Sequence, residues 1–134
     1  MEITALLLSL MIWTTSLLGI DKSNIPDPEI VRYTNNIPDI LEDISPGTIG
    51  MYFRDRQLIG IRGDLDLEGP YGQSVFVHEY VHHIQNVKDI YSGRSNCREA
   101  AAYKIQYTFL LTRGIDHNIT RLKFLNHVVR CSRG

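Results

Sequence analysis

The chain is predicted to be a single α+β domain, with a small, mainly antiparallel sheet of about three strands packed on helices. Three observations carry that expectation. Short alternating runs rich in Ile, Val, Tyr and Phe occupy residues 29–34, 48–53 and 58–62. Residues 73–87 and 96–112 contain no Gly or Pro and keep apolar positions at helical spacing. Finally, 134 residues suffice for one modest core and not for two.

Taken in order, residues 3–20 form an uncharged, strongly apolar run containing Leu6-Leu7-Leu8 and Leu10-Met11-Ile12-Trp13. Its place and length suit a secretory signal with cleavage after Gly19. Glu2 in place of a basic residue and the bulky Leu17 three before that cut depart from the usual pattern. An uncleaved membrane anchor and a buried core helix are the alternatives. Residues 1–20 are thus read as signal peptide or anchor, and 25–134 as the folded domain. Ile25-Pro26-Asp27-Pro28 reads as an extended linker, because each proline biases its predecessor away from helix. After the strand at 29–34, Asn36 and Pro38 suit the start of a helix running to about Ile44, closed by Ser45-Pro46-Gly47. Arg54-Asp55-Arg56-Gln57 reads as the loop of a hairpin between the next two strands. Asp64-Leu65-Asp66-Leu67-Glu68 lacks the glycine and spacing of a calcium loop and is read as a solvent-facing connection. Gly69-Pro70 and Gly72 mark a break before the helix at 73–87, and Ser92-Gly93 a break after it. Ser95 or Asn96 caps the helix that runs to Thr112, where Gly114 stops it. Residues 118–129 form the last helix, with Ile119, Leu122, Leu125 and Val129 on one stripe.

The chemistry sits in the helix at 73–87, which carries His78-Glu79-Tyr80-Val81-His82. Residues i and i+4 project from one helix face, so the two imidazoles can converge on one ion at the ~2.0–2.1 Å that zinc prefers. Glu79 lies about 100° further round, badly placed as a ligand and well placed as a general base. Hydrolytic zinc sites take three protein ligands, and Glu99, in the first turn of the next helix, is the best-spaced third. Asp89 and Asp116 are weaker rivals. Asn96 and Glu99 also fit a capping box, in which Glu99 would merely satisfy the helix end.

On these residues the chain resembles the gluzincin class of zinc peptidases, and most of all their minimal single-domain members, the minigluzincins. The resemblance covers residues 49–111 and rests on His78, Glu79, His82 and Glu99. It implies a zincin-like domain holding one Zn2+ through His78, His82 and Glu99. Glu79 would then be the base that hydrolyses peptide bonds with a metal-activated water, on a peptide or protein substrate. It also implies that the strand at 48–53 or the one at 58–62 offers its edge to the substrate. Larger gluzincins steady the transition state with a His or Tyr from a further subdomain; here Tyr103, Tyr107, His117 and His127 are candidates, none singled out. The minigluzincins include latent forms whose C-terminal segment obstructs the cleft, a role that residues 118–134 would fill. A latent or non-catalytic zinc-binding protein of this fold is therefore the second expectation, and a membrane-tethered interaction protein the third.

Net charge of −1 and a pI near 6.5 give no global pull toward nucleic acid or an anionic membrane, and a monomer is expected. A membrane enters only if residues 3–20 are an uncleaved anchor. The basic residues Arg121, Lys123, Arg130 and Arg133 read as a solvated helix face. Cys97 and Cys131 suit an exported chain if they pair, and pairing and free burial are equally open. Asn118-Ile119-Thr120 is a glycosylation sequon, meaningful only in an exported chain of a glycosylating source. Export is the expected localisation.

Overall fold

Residues 3–33 and 48–133 are described by the computed structural model. Helix α1 (Ala5–Leu18) starts where the Thr4 hydroxyl accepts from the Leu7 N–H and ends at Gly19, whose φ of 69° is left-handed. Its inner face buries Leu7, Leu10 and Met11 in the main core, and Trp13 packs edge-on against Phe109 at 5.1 Å. The run expected as leader, anchor or core helix is thus helical and packs one face on that core. Among the described residues no helix is long and apolar enough to cross a membrane.

Strands β1 (Glu29–Tyr33), β2 (Gly50–Phe53) and β3 (Leu58–Arg62) form one sheet in the order β1-β3-β2. β2 and β3 make the expected hairpin, joined by a 3-10 turn over Arg54–Arg56 and by Gln57 at φ 49°. β1 pairs with β3 in parallel, Ile30 opposite Ile59, so the sheet is mixed and not mainly antiparallel. The cause is topological. β2 already occupies one edge of β3, and the long stretch between β1 and β2 permits a parallel crossover onto the other edge. The helix expected from Asn36 to Ile44 falls in that stretch and lies outside the described residues.

Helix α2 (Pro70–Lys88) begins earlier than periodicity predicts. Gly69 is its N-cap and Pro70 its first residue, a position where the missing N–H costs nothing. Gly72 belongs to the first turn, and a Cβ there would sit 1.9 Å from the Asp66 carbonyl oxygen, so only glycine lets the preceding connection pack this closely. That connection is held by Arg62 on Asp64 at 2.6 Å and by the Glu68 N–H on Asp66. α2 touches α1, β2, β3 and α3 (Ser95–Thr112), while α4 (Asn118–Ser132) packs on α3. Ile30, Ile59 and Ile61 from the sheet meet Phe76, Tyr80 and Ile84 of α2 in the core. Cys97 and Cys131 are disulfide-bonded, tying the start of α3 to the end of α4. Closing a loop of 34 residues stabilises the fold by about 4 kcal/mol on chain-entropy grounds.

Candidate metal centre

The middle of α2 is buried on nearly every side, by Val75, Phe76, Val77, Tyr80, Val81 and Ile84. This fixes the helix rotation and hence the direction of the residues between them. His78 and His82, one turn apart, place their rings 4.9 Å apart. The ligand-type atoms of His78, Glu79 and His82 all lie within 4.8 Å of one another. From α3, Glu99 Oε1 comes to 3.6 Å from His78 Nε2 and also contacts His82 Nε2 directly. Donors around a tetrahedral zinc at ~2.0–2.1 Å stand roughly 3.3 Å apart, so this trio needs only small shifts to enclose the ion. The donor set, two imidazoles and a carboxylate, suits zinc.

Glu99 and Glu79 divide as their surroundings dictate. Glu79 lies against β2, where a Cβ on Gly50 would stand 3.1 Å from its Oε2 and 2.8 Å from Val75 Cγ1. Glycine at position 50 is thus what makes room for this carboxylate. Burial pushes the Glu79 carboxyl up, the charges of His78 and His82 pull against that, and Glu99 adds to it. For Glu99, burial also pushes up, but hydrogen bonds from His78 and His82 outweigh it and hold the carboxyl well below the usual range. His82 shifts upward because the bond to Glu99 and the charge of Glu79 overcome its burial. The two carboxyls are therefore shifted in opposite directions, Glu99 downward and Glu79 upward.

The capping alternative for Glu99 is not taken. The N-cap of α3 is Arg94, without a side-chain bond, and Asn96 Oδ1 pairs with His127 Nδ1 at 3.1 Å. Asp89 forms the C-cap of α2, and Asp116 accepts from the Tyr107 hydroxyl at 2.7 Å, so both rivals lie outside the cleft.

Gln85 is a contributor that sequence reasoning missed. Its Nε2 donates to the Arg98 carbonyl at 3.0 Å, which turns Oε1 toward His82 Nδ1 at 2.9 Å. An amide oxygen can only accept, so Nδ1 of His82 carries the proton and Nε2 is left to ligate. The same side chain joins α2 to the turn of α3 that carries Glu99. The available signal was a polar residue three positions after His82 on a buried helix. His78 is held differently, with its ring 4.4 Å from that of Tyr103; its Nδ1 is buried without a hydrogen-bond partner among the described residues. The third histidine of this helix, His83, faces away. Its Nε2 donates to the Pro26 carbonyl and its Nδ1 accepts from the Tyr52 hydroxyl, each at 2.7 Å, and burial lowers its pKa.

A cleft of about 280 Å³ opens over the histidines, lined by Met51, Tyr52, Arg54, Arg98 and Tyr103 among others. Of the four candidate transition-state donors, Tyr103 alone lines this cleft. Burial first, then the charges of Glu99 and Glu79, push its hydroxyl up to about 12, so it stays a neutral donor. His127 stacks on the far side of that ring at 5.5 Å, and His117 caps α4 through Thr120. Tyr107 is spent on Asp116.

Residues 4–133 match the family described as Domain of unknown function (DUF6647). The chain belongs to that family. The match spans all four helices and the whole sheet, so the His-Glu-His group of α2 and Glu99 of α3 both fall inside the family's domain. No curated protein and no solved structure matches the chain.

Proposed function

We propose that this chain is a zinc-dependent metallopeptidase of gluzincin type, with His78, His82 and Glu99 as ligands of one Zn2+ and Glu79 as general base. The observation that carries the reading is the meeting of a carboxylate from α3 with two histidine Nε2 atoms one turn apart on α2. When bound, zinc would supply a Lewis acid for the peptide carbonyl and an activated water. Glu79, raised by burial, takes up the proton and returns it to the leaving amine. Tyr103 donates its hydroxyl to the developing oxyanion. The substrate backbone adds to β2. β3 is paired on both sides, whereas among the described residues β2 is an edge strand, and its Gly50, Met51 and Tyr52 line the cleft. Export is supported by the Cys97–Cys131 bond, since structural disulfides are rare outside oxidising compartments.

The test is elemental analysis of the purified protein together with cleavage of a mixed peptide library, with and without chelator. Glu79→Gln is expected to keep one zinc per chain and to lose turnover by about 10²–10⁴-fold. Cleavage by that variant at the parent rate would remove Glu79 from the mechanism, and a parent protein without zinc would remove the reading altogether.

A second reading, the latent one, is favoured by one observation. Ile119, Thr120 and Lys123 of α4 close one end of the cleft beside Gly50, His78 and Tyr103. The disulfide pins α4 there. Latency predicts chelator-sensitive cleavage only after α4 is trimmed away; equal rates before and after trimming exclude it.

A further inference from the structure

The solvent face of α4 is apolar where a surface helix is normally polar. Thr120 is buried, and Phe124, His127 and Cys131 turn inward with it, while Leu122, Leu125 and Val129 form the opposite face. With Ile119 and Val128 they are between 39 % and 61 % exposed. Exposed Asn118 and Asn126 share this face, but an apolar cluster of this kind on a surface helix still marks an interaction surface. It does not stop at the helix. Val128 also lines an apolar groove of about 630 Å³ that runs to Leu18 and Ile20 at the end of α1.

The charges around the stripe say what covers it. α4 contains no Asp or Glu, and Arg121 and Arg130 border the stripe on its two sides. Both are exposed, and neither forms an ion pair among the described residues. An anionic lipid surface presents the opposite sign to both arginines and an apolar interior to the leucines between them. We propose that α4 is an interfacial helix that seats the protein on membranes containing anionic lipid, its Leu122–Leu125–Val129 face in the headgroup boundary. This is a peripheral attachment, and it does not rest on the metal reading.

The experiment is co-sedimentation of the full-length, disulfide-bonded protein with two kinds of vesicle. One is phosphatidylcholine alone, and the other an equal mixture of phosphatidylcholine and phosphatidylserine. The expected result is binding to the mixed vesicles that weakens with added salt. Leu122→Asp with Leu125→Asp is expected to cut the bound fraction about tenfold with unchanged circular dichroism. Arg121→Gln and Arg130→Gln should each weaken binding about fivefold. Three results would overturn the proposal. These are no binding to either vesicle, binding indifferent to the leucine pair, or a concentration-dependent dimer that the leucine pair dissolves.

Discussion

Replacing Gln85 by leucine tests the metal centre without touching a ligand. The side chain is buried, and its two hydrogen bonds, 2.9 Å to His82 and 3.0 Å to the Arg98 carbonyl, have no substitute in a leucine of similar size. His82 Nδ1–H would then be buried without an acceptor, and the imidazole would be free to adopt the wrong tautomer for a cation at Nε2. Loss of such an orienting partner lowers zinc affinity about ten- to a hundredfold, or roughly 1.4–2.8 kcal/mol. The orphaned His82 Nδ1–H also destabilises the zinc-free fold by about 1–3 kcal/mol, whereas the Arg98 carbonyl keeps its acceptor bond within α3. Gln85→Glu separates the two effects, because its carboxylate still accepts from His82 while the donor to Arg98 is gone. It is expected to retain zinc and lose stability. Affinity is read by competition with a chromophoric chelator, and stability by urea unfolding of the zinc-free protein. If Gln85→Leu binds zinc as tightly as the parent, His82 is not a ligand through Nε2 and the assigned geometry fails.

Gly50→Ala should force the Glu79 carboxylate off β2, costing about 1–3 kcal/mol and lowering turnover while zinc content, read by elemental analysis, stays at the parent level. Replacing both Cys97 and Cys131 by serine should lower stability by about 4 kcal/mol, seen in urea unfolding and reproduced in the parent by reduction. Met11→Ala should cost about 2–5 kcal/mol, because Met11 is fully buried; an effect near zero would show that α1 is not part of the core.

The parts of this fold that were legible are those written in local spacing. His78 and His82 share a face because a helix repeats about every 3.6 residues, and no distant contact can alter that. Glu99 was reachable by the same logic, since two helices joined by a short turn bring their near ends together. Gln85 and Gly50 were not legible for the opposite reason. Gln85 acts through the carbonyl of Arg98 on another helix, and Gly50 acts by leaving space for Glu79 across the sheet edge. The parallel pairing of β1 escaped likewise, because strand order depends on which edge of β3 is still open. Residues 3–20 illustrate a third case. An apolar run has the same composition as a leader, an anchor or a core helix, and the burial of Leu7, Leu10 and Met11 is knowable only from what packs on them.

α4 shows how far a pattern can mislead about direction while being right about secondary structure. Ile119, Leu122, Leu125 and Val129 recur at helical spacing, and the segment is helical. On hydrophobicity alone that stripe would face inward, yet it faces solvent. The rotation is fixed instead by Cys131, which must meet Cys97, and by His127, which stacks on Tyr103 and bonds Asn96. These lie on the side of the helix away from Leu122, so satisfying them turns the leucines out. A covalent bond worth about 4 kcal/mol and a stack inside the cleft wall thus outweigh the burial of aliphatic side chains that stay about half exposed. If the orientation has this cause, reducing the disulfide should free α4 to roll its stripe inward, and vesicle binding should fall together with stability. Binding that survives reduction unchanged would mean that the packing of α3 on α4, and not the disulfide, holds the apolar face outward.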